Sequence, residues 1–138
     1  MTLENAKSLL ENGEFEQARK VLIEITNSEQ DNVAAWLLLC GLSVKTEDWV
    51  LGLQSFSNLC RCRPNSAIAS SGLVQSYFNL AMYDDALHEM ERFELACDGN
   101  NEEHRSVLEE YQHVRDKISV KKIKEEKKTS RNNKGTSD

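Results

Sequence analysis

The sequence predicts an all-α protein, and three observations carry that prediction. The chain of 138 residues holds one Pro and six Gly, and no stretch alternates apolar and polar residues over the length of a strand. Its apolar residues recur at helical spacing. The same residue classes then return every 34 residues over about the first hundred positions, as in an array of helical hairpins. The length is one domain's worth, and 39% hydrophobic residues suffice for a thin two-layer core.

The stretch from Trp36 to Pro64 sets the frame. Trp36, Leu39, Cys40 and Ser43 share one face of a helix, and Gly52, Phe56 and Leu59 share one face of the next. Glu47–Asp48 is the polar turn between them, with Asp48 placed to cap the second helix, and Pro64 ends the unit. Thirty-four residues on, Leu39, Ser43, Trp49, Gly52, Phe56 and Leu59 become Leu73, Tyr77, Tyr83, Ala86, Met90 and Phe93. Thirty-four residues back stand Phe15, Ala18, Leu22 and Ile25, with Ala6 and Leu9 matching Cys40 and Ser43. Trp36, Leu39, Phe56, Leu59, Leu73, Tyr77, Ala86 and Phe93 are the expected core.

The other elements follow in order. Thr2 caps a first helix running to about Asn12, Gly13–Glu14 turns the chain, and a second helix spans Phe15 to Asn27. Asp31 or Asn32 caps the third helix, and Asn65–Ser66 caps a fifth from about Ala67 to Asn79. Residues 81–84 turn the chain into a sixth helix over Asp85 to Ala96. Residues 98–101 break the pattern, and Asn100 with Glu103 forms a capping-box pair. A seventh helix begins near Asn101 with Val107, Leu108, Tyr111, Val114 and Ile118 on one face and charged residues on the other.

On these residues the chain resembles the tetratricopeptide repeat (TPR) family. Its signature is a Trp, then Leu and a small residue, a Tyr-like position, an Ala, a Phe and a closing Pro over 34 residues. The resemblance covers about residues 1–98, as repeats at about 1–32, 33–66 and 67–100. It departs at Ser70 where Trp36 stands, at Val74 where a small residue is usual, and at Asp98 where Pro64 stands. Gly52 replaces the commoner Ala, which points to a tight helix crossing there. The resemblance implies a TPR-type α-solenoid of three antiparallel helical hairpins; the one-sided apolar face of residues 101–120 fits a capping helix, the alternative being a self-association face that pairs two chains as a coiled coil.

Composition shifts after residue 120. Residues 121–138 carry seven basic and three acidic side chains, a net of +4 against −6 for the whole chain, which leaves −10 on residues 1–120. From Thr129 no aliphatic or aromatic residue remains, so a disordered tail is expected. No aromatic residue is interleaved with the lysines, and the acidic body repels phosphate, which argues against nucleic acid. The first residues lack an apolar signal-peptide core and no apolar run reaches membrane-spanning length, so a cytoplasmic protein is expected.

No catalytic constellation is visible. Cys40, Cys60, Cys62 and Cys97 lack metal or redox spacing and are read as reduced packing residues. His88, His104 and His113 are read as solvated surface residues. There is no Gly-rich phosphate loop and no metal-ligand pattern, so neither an enzyme nor a cofactor or metal is expected.

The resemblance implies that the first helix of each hairpin lines a concave groove. In this frame the groove residues are Leu3, Lys7 and Leu10, then Ala34, Leu37, Gly41 and Val44, then Ile68, Ser71, Gln75 and Phe78. Lys7 and Lys45 stand at the rim. The carboxylate clamp by which many family members grip a chaperone's C-terminus would need Lys at Leu3, Asn at Lys7, Asn at Leu38, Lys at Ile68 and Arg at Gly72, and all five are wrong. The expected role is therefore a non-catalytic protein-protein interaction module, an adaptor or small chaperone taking an apolar segment of a partner polypeptide. The alternatives are a subunit of a self-assembled or multi-protein complex, and a chaperone of the type III secretion kind by analogy of size and charge. Mass in solution and co-purifying partners separate these.

Overall fold

A computed structural model describes residues 2–135, with side chains through Arg131. Its described residues contain helices and no strand. They form two compact units, Met1–Ala96 and Cys97–Asp138.

The first unit holds α1 (Leu3–Glu11), α2 (Phe15–Ser28), α3 (Val33–Lys45), α4 (Trp49–Cys62), α5 (Ala67–Asn79) and α6 (Tyr83–Ala96). Each packs on the next in chain order, giving three helical hairpins in a solenoid-like stack. The expected caps are in place: Thr2, Asn32, Asp48 and Ser66 side chains accept from the backbone N–H three residues on.

The three hairpin turns are copies of one another. Gly13, Glu47 and Ala81, spaced by 34, hold left-handed φ of 77°, 54° and 59°. After each, one N–H reaches back five residues: Glu14 to Leu9 O (2.9 Å), Asp48 to Ser43 O (2.9 Å) and Met82 to Tyr77 O (2.8 Å). The preceding N–H donates to Leu10 O, Val44 O and Phe78 O in turn. This is a Schellman helix ending, made three times. It explains why α6 starts at Tyr83 rather than at Asp85. Tyr83 holds the place of Phe15 and Trp49, the first residues of α2 and α4.

The core joins α1 to α5 through Ala6, Val21, Leu22, Ile25, Trp36, Leu39, Phe56, Leu59 and Leu73, among others. Ala86, Met90 and Phe93 are fully buried on α6. Seven of the eight expected core residues are buried, and Tyr77 is half-buried against the cluster. Gly52 does mark a tight crossing: a Cβ there would lie 2.7 Å from Ser76 Oγ and 3.2 Å from Ser43 Oγ. So α4 runs close to both α3 and α5 at that point.

Loop carbonyls tie the hairpins together. Gln30 O accepts from the Trp36 indole N–H (2.7 Å) and from the Arg61 guanidinium (2.7 Å). Pro64 O, 34 residues on, accepts from Arg92 (3.1 Å).

The second unit is α7 (Glu102–Gly135) and the loop before it. Its cap is Asn101, whose Oδ1 accepts from His104 N–H at 3.2 Å, while Asn100 N–H donates to Asp98 Oδ1. The start is thus one residue later than the Asn100–Glu103 pair suggests. His104 is buried, and its Nδ1 accepts from Asp98 N–H at 2.9 Å, which corrects its reading as a surface residue. Tyr111 and Ile118 are buried and Val107, Leu108 and Val114 half-buried, the face expected from spacing.

The expectation of disorder after Thr129 is corrected as far as Gly135. The helix runs on through Thr129 to that residue, and the last three tail residues lie outside the described ones. No Gly or Pro interrupts it between Gly99 and Gly135, and Lys and Glu are good helix formers of alternating sign at i,i+4 (Lys121–Glu125, Lys122–Glu126). Propensity and charge spacing outweigh the lack of apolar burial there.

Candidate functional site

The surface singled out by sequence belongs to α1, α3 and α5, the first helices of the three hairpins. On α3, Leu37, Gly41 and Val44 stand at i, i+4 and i+7, and all three are exposed. Leu37 is 47% and Val44 41% exposed. On α5, Gln75 is exposed, Ser71 and Phe78 are half-buried, and Ile68 on the same face is 64% exposed.

Charge is nearly absent from these two helices. α5 carries no charged residue, and α3 carries Lys45 alone at its last turn. The chain as a whole is 29% charged. That contrast separates this surface from the exposed apolar residues of α6 and α7, but not from Val50, 68% exposed on α4, where Arg61 is the one charged residue. Leu95, for example, sits on α6 among Glu91, Arg92 and Glu94.

Three of the expected groove residues behave differently. Leu3 is half-buried against the core and borders a recess of about 300 Å³ with Ile25 and Asn32. Lys7 is exposed and pairs with Glu4 at 3.6 Å on its own helix. Phe78 is half-buried, with its ring 5.7 Å from that of Tyr83 at 58°, so it faces a neighbouring ring rather than open water. Lys45, expected at the rim, lies 5.2 Å over the Phe15 ring and ties α3 to α2 by a cation–π contact. Gly72, one of the five clamp positions, is buried.

A cleft of about 520 Å³ opens elsewhere, between α1 and α2, with Leu9 and Val21 in its lining beside Asn5, Ser8, Lys20 and Glu24. None of the expected groove residues borders it.

Sequence reasoning missed one buried polar cluster. Glu89 is 8% exposed and takes both oxygens into a fork with Arg92, Nε to Oε1 and one terminal nitrogen to Oε2, each 2.7 Å. Ser70 Oγ donates to the same Oε2 at 2.7 Å. The signal was a carboxylate inside the Ala86–Met90–Phe93 stripe, with Arg three residues on. Cys60 lies near this pair: burial first, then the Glu89 charge, pushes its thiol up to about 12. Burial and then Cys60 push the Cys40 thiol up to about 12 as well. Burial likewise raises the Tyr77 phenol above its ordinary value. Thiols held protonated are poor nucleophiles and poor metal ligands, and the Ser70–Glu89 bond ties α6 to α5. Cys40, Cys60, Cys62 and Cys97 form no disulfide, and no group of three or more His, Cys, Asp or Glu among the described residues could hold a metal.

No helix among the described residues is long and apolar enough to cross a membrane. In comparisons with known proteins, no family model matches the chain and no curated protein matches it.

Proposed function

We propose that the chain is a non-catalytic, tetratricopeptide-type binding module that takes an uncharged, apolar segment of a partner polypeptide across α3 and α5. One observation carries this reading: two helices nearly free of charge keep Ile68, Leu37 and Val44 64%, 47% and 41% exposed. Apolar faces of this kind on an otherwise charged chain are where polypeptide partners dock. The 34-residue recurrence of the turns supports equivalent presentation of the two faces, Ala34–Leu37–Gly41–Val44 on α3 and Ile68–Ser71–Gln75 on α5, with Phe78 turned aside to Tyr83. An adaptor or small cytoplasmic chaperone is the role this reading fits.

The test is fluorescence anisotropy with labelled peptides of equal length, one uncharged and apolar, one acidic and one basic. The apolar peptide is expected to bind and the charged ones to bind much more weakly. Leu37→Glu and Ile68→Glu should each abolish binding while helix content and melting temperature hold, because both side chains already meet water. Binding that survives both changes, or a preference for a charged peptide, overturns the reading.

A further inference from the structure

α7 carries a second stripe besides its buried one. Glu109, His113, Asp116, Val120, Ile123 and Lys127 follow one another at spacings of four, three, four, three and four. All six are exposed, Val120 and Ile123 at 51% each. The buried Tyr111 and Ile118 lie two residues before His113 and Val120, about 200° round the helix and so on the opposite side. The stripe has the heptad spacing of a coiled-coil seam, yet only its middle is apolar.

Charge along α7 is split. Residues 102–116 hold five acidic and two basic side chains, and residues 117–131 hold seven basic and two acidic. A helix with this division opposes itself in parallel and complements itself in antiparallel. Turned about a two-fold axis between Lys121 and Lys122, the stripe meets its own copy in heptad register. Val120 then faces Ile123 of the second copy, and Asp116 faces Lys127. On one flank Glu110 approaches Arg131, while Lys117 approaches Lys124 and opposes the pairing. By symmetry each contact occurs twice.

We propose that the exposed stripe of α7 is a homodimer seam, pairing antiparallel with α7 of a second copy through a Val120–Ile123 centre bracketed by Asp116–Lys127 ion pairs. This does not rest on the peptide-binding reading, since it uses no residue of the first six helices. The association is expected to weaken with salt.

The experiment is sedimentation of the full chain over a range of concentrations, at low and high salt. The wild type should dimerise, less so at high salt. Asp116→Lys and Lys127→Asp should each weaken dimerisation at least tenfold, and the double variant carrying both should recover it. All these positions are exposed, so circular dichroism should show unchanged helix content in every variant. A wild type that stays monomeric, single swaps without effect, or a double swap that fails to recover the dimer overturns the proposal.

Discussion

The Phe56 ring fills the space that a Cβ on Gly72 would occupy. Two helices, α4 and α5, meet there with no atom to spare. Gly72→Ala should therefore cost about 1–3 kcal/mol or more through overpacking, although Ala is the better helix former. Gly41, in α3, has nothing within 4 Å of its would-be Cβ. Gly41→Ala should stabilise by about 0.5–1 kcal/mol. Urea unfolding of the two variants checks the contrast, and equal effects would deny that the Phe56 contact sets the requirement.

The second and third Schellman turns place residues with side chains where the first uses Gly13. Glu47→Gly and Ala81→Gly relieve left-handed strain of about 1–2 kcal/mol each, less the added entropy of glycine in the unfolded chain. Both variants should melt slightly higher than wild type, and Gly13→Ala lower. Differential scanning calorimetry reads the order directly.

Removing either side of the Glu89–Arg92 fork should not cost the same. Arg92 is 39% exposed in its side chain and Glu89 8%. Arg92→Ala strands a buried carboxylate and should cost about 3 kcal/mol or more. Glu89→Gln leaves an arginine that water can reach and should cost less, about 1–2 kcal/mol. Chemical denaturation of both variants tests the asymmetry.

Two thiols make stability fall in alkali. Cys40 and Cys60 are raised from an ordinary 9.0 to about 12. Between those values the native chain keeps protons that the unfolded chain has released, so rising pH favours unfolding. Their contribution is complete below pH 9 and lost on the way to about pH 12, at up to about 1.4 kcal/mol per pH unit for each thiol. Cys60→Ala should flatten the fall in urea midpoint between pH 8 and pH 10.5 relative to wild type.

Ser55 Oγ is fully buried with no hydrogen-bond partner among the described residues. Ser55→Ala should stabilise by about 1 kcal/mol or more, because an unpaired buried hydroxyl carries its full desolvation cost. A destabilised variant would mean that the hydroxyl is satisfied in solution.

The hairpins were legible because period and caps agree. Thr2, Asn32, Asp48 and Ser66 each stand before an apolar run, and the 34-residue frame placed Trp36, Phe56 and Phe93 inside. The start of α6 was misplaced because Tyr83 has no capping side chain ahead of it; only the recurrence with Phe15 and Trp49 marks it. The end of α7 is not legible from burial, because the helix propensity of the Lys–Glu sequence carries it on where apolar residues run out. On the candidate surface, exposure at Leu37, Gly41, Val44 and Gln75 followed from helical spacing. The turn of Phe78 toward Tyr83, the hold of Lys45 on Phe15 and the burial of His104 are contacts between partners chosen by three-dimensional approach, which no periodicity contains.

The fit of Phe56 over Gly72 also bears on how such a chain can lengthen. The turns, caps and spacing of residues 33–66 form a module that could be duplicated without loss of register. A duplicated copy, however, would bring Leu38 to the place of Gly72, beneath an unchanged Phe56. In the first pair of hairpins the same two positions are Leu22 and Leu38, a medium-sized residue on each side. In the second pair they are a large residue and none at all. Each junction thus divides its volume differently, and the order of the hairpins is written in those unequal shares.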